Sequence, residues 1–89
     1  MSLTIPEIVK NDPRSVELLR VWAAEGGQCV TLVPDIWKDP AAWGIMLVDL
    51  ATHISRAYSE TGAMSSADAL ARIREGFDAE WAVSTDFEK

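Results

Sequence analysis

The sequence predicts a small α+β domain of order β-β-α-α, completed by dimerisation. Three observations carry this. Two β-rich runs flank a glycine pair within residues 16–33. The stretch from Asp39 to Thr61 reads as one long helix whose first half is apolar almost all the way round. A second amphipathic pattern follows from Ser66 to Val83. Residues 1–15 are expected as an N-terminal arm, 16–84 as the single domain and 85–89 as a frayed tail.

In the arm, Pro6 and Pro13 interrupt any longer element. Thr4-Ile5-Pro6-Glu7 has capping-box spacing, which predicts one helical turn over residues 6–10. Leu3, Ile5, Ile8 and Val9 are its packing side chains.

In the second piece, Leu19, Val21 and Ala23 alternate with Leu18, Arg20 and Trp22. After Glu25-Gly26-Gly27, Val30 and Leu32 alternate with Cys29, Thr31 and Val33. Two β-rich runs around a glycine pair read as a hairpin. A helix over residues 13–24 competes, with Asp12 as N-cap and Gly26 as its stop. The hairpin is preferred because the second run needs a strand partner and the preceding segment is the nearest one.

The long helix has a marked start: Asp39 is a good N-cap and Pro40 occupies the first helical position, where a missing N–H costs nothing. Trp43, Leu47, Leu50, Ile54 and Tyr58 recur at three- and four-residue steps, and Ala42, Ile45, Met46, Val48, Ala51 and Ala57 widen that stripe. A helix this apolar must be covered on more than one side. Gly44 costs roughly 1 kcal/mol against alanine, which suggests a close backbone approach there. Gly62 ends the helix. Ser65-Ser66-Ala67-Asp68 then starts the last one in capping-box fashion, and Leu70, Ile73, Phe77 and Trp81 form its stripe.

Composition bounds the function. The 89 residues allow one small domain, and 48% hydrophobic with 25% charged residues fits a globular chain. A net charge of −6 argues against nucleic acid, whose phosphates need clustered Lys and Arg. The longest apolar run, Ala41 to Val48, is too short for a bilayer, and the N-terminus lacks a signal-peptide pattern. A reducing, cytoplasmic setting is therefore expected. The single Cys29 has no internal disulfide partner, and with one His no metal site is expected. The four tryptophans, Trp22, Trp37, Trp43 and Trp81, are many for this length and serve as core fillers or interface side chains.

Candidate chemistry is sparse. Asp49, His53 and Arg56 stand at i, i+4 and i+7 on one helical face, where a carboxylate can orient an imidazole for general-base work. The plainer reading is a solvated face with pairs contributing about 0.2–0.5 kcal/mol each. Cys29 reads as an inertly packed thiol, since no basic side chain lies near it in sequence. No phosphate-binding loop, catalytic triad or cofactor fingerprint is present. The acidic C-terminal part, with Asp68, Glu75, Asp78, Glu80, Asp86 and Glu88, reads as solvated surface.

The run ELLRVWAAEGGQCVTL (Glu17–Leu32), followed by WKDPAAWGIMLVDLATHISRAY (Trp37–Tyr58), resembles a family of small bacterial proteins known as a domain of unknown function. The resemblance covers residues 15–60, and W-K-D-P-x-x-W-G is its most distinctive part. It implies a bacterial, single-domain protein and supplies no activity.

Two functions from different classes follow. The first is a non-catalytic, acidic homodimeric interaction or structural module, with Trp22, Trp43, Gly44 and Met46 at the interface and another protein as a possible further partner. The second is a small-molecule binder or minor enzyme, with a pocket between hairpin and long helix lined by Trp22, Trp37 and Trp43. Its polar groups would come from Arg20, Asp49, His53 and Arg56. The missing chemistry favours the first, without cofactor or metal.

Overall fold

The computed structural model describes residues 3–88, with side chains through residue 83; Met1, Ser2 and Lys89, the outermost parts of the expected arm and tail, lie outside that range. The elements run α1 (Glu7–Asn11), β1 (Leu19–Ala24), β2 (Gly27–Leu32), α2 (Ala41–Glu60) and α3 (Ser66–Glu88). This is the expected β-β-α-α order of an α+β chain. Contacts gather into two units, Met1–Lys38 and Asp39–Lys89.

In the first unit α1 is a single turn, with the Pro6 carbonyl accepting from the N–H groups of Val9 and Lys10. The expected capping box does not form. Pro6 is extended (ψ 147°) and itself holds the N-cap position, so Thr4 lies outside the first turn. Asp12, the rival helix start, closes a turn instead: its carboxylate accepts from the Arg14 N–H at 2.9 Å and its carbonyl from Ser15 at 3.0 Å.

The hairpin then forms in one unbroken antiparallel register, from Leu19↔Leu32 to Ala24↔Gly27. Glu25 and Gly26 both have positive φ, 51° and 79°. Two such residues make the turn whose twist matches that of the strands. The turn thus sits one residue earlier than the glycine pair suggests, and Gly27 opens β2. One face carries the aliphatic pairs Leu19↔Leu32 and Val21↔Val30, the other Arg20↔Thr31 and Trp22↔Cys29. The Val33 N–H donates to the Leu18 carbonyl at 3.0 Å, extending the ladder by one bonded pair. Bonded and non-bonded pairs alternate along antiparallel strands. Residues 18, 20, 22 and 24 therefore point their backbone polar groups inward, as do 27, 29, 31 and 33. Leu19, Val21 and Ala23 on β1, and Gln28, Val30 and Leu32 on β2, point theirs outward along the two edges.

In the second unit each helix end has its own chemical reason. The N-cap of α2 is Pro40 rather than Asp39, one residue later than expected, and the Asp39 carboxylate still accepts from the Ala41 N–H at 3.0 Å. At the other end Gly62 has φ +79°, while the Ala63 and Gly62 N–H groups reach the Tyr58 and Ser59 carbonyls at 3.2 and 3.1 Å. This double closure needs a residue at positive φ, which glycine provides without steric cost. Ser65 Oγ accepts from the Asp68 N–H at 3.1 Å and starts α3. The helix continues to Glu88, past the expected end at Val83 and through most of the expected tail, because no Gly or Pro follows Gly76 to stop it.

α2 and α3 contact each other. Among the described residues the only buried side chains are Ser55, 2% exposed, and Ala69, 3% exposed, one on each helix. Both are small, and the Ser55 hydroxyl is satisfied by donating to the Thr52 carbonyl at 2.7 Å. The larger apolar side chains remain open: Leu47, Leu50, Ile54 and Tyr58 are 40–46% exposed, and Trp81, stacked on Phe77 at 5.6 Å, is 64% exposed.

Candidate functional site

Asp49, His53 and Arg56 do lie along one face of α2, as their spacing requires, and all are exposed. No hydrogen bond or ion pair joins them among the described residues, whose ion pairs are Glu7–Lys10, Asp12–Arg14, Glu17–Arg20, Arg72–Glu75 and Arg74–Asp78. No ionisable side chain is buried among the described residues, and none of the acidic, histidine and cysteine side chains there gather into a metal-binding group. Activation of a catalytic group depends on desolvation or a fixed charged neighbour, and this face supplies neither.

Arg20 belongs to the other unit. Its guanidinium donates to both carboxylate oxygens of Glu17, from Nε to Oε1 and from Nη2 to Oε2. The hydrogen bond to Arg20 lowers the Glu17 carboxyl below its usual range, and the same bond raises Arg20. Beside this pair is a depression of about 240 Å³ lined by Glu17, Leu18, Leu19, Arg20, Thr31, Leu32 and Val33. It is smaller than the roughly 300–1,000 Å³ of ordinary ligand pockets, and none of Trp22, Trp37 and Trp43 lines it.

The interface candidates are placed differently. Trp22 is exposed on β1 opposite Cys29, and Cys29, expected as a packed thiol, is exposed as well. Trp43 and Met46 are half-buried on α2. Gly44 is exposed, and a Cβ built on it meets nothing within 4 Å. Among the described residues nothing fills that space, so the close backbone approach expected at Gly44 is not made within them. From sequence, two hairpins joined into a four-stranded sheet and two long helices packed across an axis at Gly44 are equal ways to dimerise, and the β2 edge is not set apart from that of β1. The signal that separates the two edges is the run Gly27–Val33, which contains no charged residue and no proline.

Comparison with known proteins agrees with this architecture. A family described as a domain of unknown function (DUF5076) matches residues 2–85, and the chain belongs to that family. A solved structure from the photosynthetic bacterium Rhodopseudomonas palustrus is similar over 90% of this chain and 81% of its own, with 32% identity and a TM-score of 0.71. Its name offers pyruvate dehydrogenase as a provisional assignment for that protein. No curated protein matches. Among the described residues no helix is long and apolar enough to cross a membrane.

Proposed function

We propose that this protein is a non-catalytic, acidic homodimeric interaction or structural module of the bacterial cytoplasm. The observation that carries the reading is the surface left open. Within the helix pair alone, Ile45, Leu47, Val48, Leu50, Ile54 and Tyr58 on α2 and Phe77 and Trp81 on α3 are exposed apolar side chains, the kind of surface that marks an interaction site. A symmetric pair is the commonest way to cover such a surface. The lone cysteine suits a reducing compartment, and the similar structure comes from a bacterium.

Nothing supports carrying the neighbour's provisional enzyme name to this chain. Oxidising a keto acid demands stabilisation of developing charge in a dry, polar-lined site. The described residues offer no buried ionisable group, and the depression beside the Glu17–Arg20 pair is open and lined by exposed and half-buried side chains. The small-molecule reading has the same weakness, because Asp49, His53 and Arg56 are exposed and unlinked.

Light scattering on a size-exclusion column across a range of concentrations tests the proposal. The expected result is a constant mass near twice 9.8 kDa. A mass of one chain at all concentrations overturns it.

A further inference from the structure

Resting on the homodimer reading above, we propose that the dimer forms by antiparallel pairing of β2 with β2 of the partner subunit, giving a four-stranded sheet with Val30 on the two-fold axis.

The argument begins with the backbone. A two-stranded ribbon alone is marginal in water, and three or more strands are usually needed. Both edges of this ribbon carry outward N–H and C=O groups, which invite pairing unless charge, proline or a bulge blunts the edge. On β2 those groups belong to Gln28, Val30 and Leu32. The strand has no charged residue, no proline and an unbroken register. Val30 and Leu32 are also exposed apolar side chains.

Charge then separates the two edges. A chain of net charge −6 repels its own copy, so self-association is cheapest through a neutral surface. β2 is such a surface. β1 carries Arg20. Pairing β1 with its own copy around Val21 would bring the two Arg20–Glu17 ion pairs diagonally across one face, about 7–8 Å apart at the backbone, and strip water from them. β2 meets no such conflict.

Outward groups set the register. With Val30 opposite Val30 of the partner subunit, Gln28 faces Leu32 of the partner subunit, and every outward N–H and C=O of β2 finds a mate. Any shifted register leaves some unpaired. The two-fold axis lies perpendicular to the sheet, so Leu19, Val21, Val30 and Leu32 of both copies join into one aliphatic face. This is self-addition of an edge strand, a recognition mode in which main-chain bonds give affinity and alternate side chains give specificity.

Residue-resolved hydrogen exchange on the intact protein tests this without altering it, together with its mass in solution. The amides of Gln28, Val30 and Leu32 are expected to exchange at least ~100-fold more slowly than those of Leu19, Val21 and Ala23. Slow exchange at the β1 amides instead would overturn the choice of edge. Fast exchange at both sets in a protein with the mass of two chains would overturn strand pairing and leave the homodimer standing. A one-chain mass would sink the homodimer and this inference with it. A variant adds a second readout. Val30→Pro removes an N–H that the intrachain ladder does not use, and is expected to weaken dimerisation at least ~10-fold, whereas Val21→Pro on the opposite edge is expected to change it less than ~3-fold. Equal effects of the two prolines count against β2 as the interface.

Discussion

The hairpin and the helix pair are incomplete in different ways. The hairpin has a fully specified backbone, with a two-residue turn at Glu25-Gly26 and a continuous register, but its edges and its aliphatic face stay open. The helices α2 and α3 have satisfied backbones and well-made ends, and what they leave open is side chain. A strand edge recruits a partner through directional hydrogen bonds that dictate register. An apolar helix stripe recruits through area alone and tolerates many arrangements. In the proposed dimer that difference gives the hairpin the specificity of association and α2 the bulk stabilisation.

Charging the helix stripe is the strongest way to break that contrast. Leu50→Asp places a carboxylate in the middle of the run from Trp43 to Tyr58. If the stripe is covered in the dimer, stability should fall by about 3 kcal/mol or more in urea unfolding, with loss of the dimer mass. A change below about 0.5 kcal/mol would mean that the stripe faces water and would leave the hairpin as the whole interface.

Smaller effects are expected at the two positions of left-handed backbone. Gly62→Ala forces a side chain onto φ +79° at the end of α2 and should cost about 1–2 kcal/mol, read as a lower melting temperature. Glu25→Asn acts in the opposite direction in the other unit. Glu25 already sits at φ 51°, where Asn-Gly is the preferred pair, so a gain of about 0.5–1 kcal/mol is expected. Both changes are local. If instead Glu25→Asn alters the dissociation constant of the dimer, the turn is part of the interface.

The smallest effect is the ion pair at the open end of the hairpin. The hydrogen bond from Arg20 holds Glu17 below its ordinary value of 4.5. A lowered carboxyl contributes stability that is fully present above its unfolded value and lost as pH falls through the folded one. The contribution should therefore be constant through neutral pH and fade only under acid conditions below about 4.5, and it should be absent in Glu17→Gln. An NMR titration of the Glu17 carboxyl carbon checks the direction. A midpoint at or above the ordinary value would contradict the pairing.

Much of this fold was legible because local chemistry decides local structure. Asp39 bonds the first N–H of α2, Gly62 closes that helix and Ser65 opens α3, each through atoms within a few residues. The capping box at Thr4 failed because Pro6 is extended and moves the start of the turn beyond the reach of Thr4. The Asp49, His53 and Arg56 face was legible as a spacing and not as a site, since spacing aligns side chains without drying or linking them.

Some decisions belonged to tertiary structure alone. The hairpin preferred over a helix at residues 13–24 is the one formed, but its turn at Glu25-Gly26, and with it the exact register, came only from the pairing of β1 with β2. The outward direction of the Gln28, Val30 and Leu32 backbone groups follows from the parity of that register. The open flank of Gly44 depends on which other backbones come near it. By itself, then, the sequence determined the α+β order and the helix ends, because caps and turns are short-range. The three-dimensional arrangement decided which edges and faces remain open, because that depends on what distant residues fail to cover.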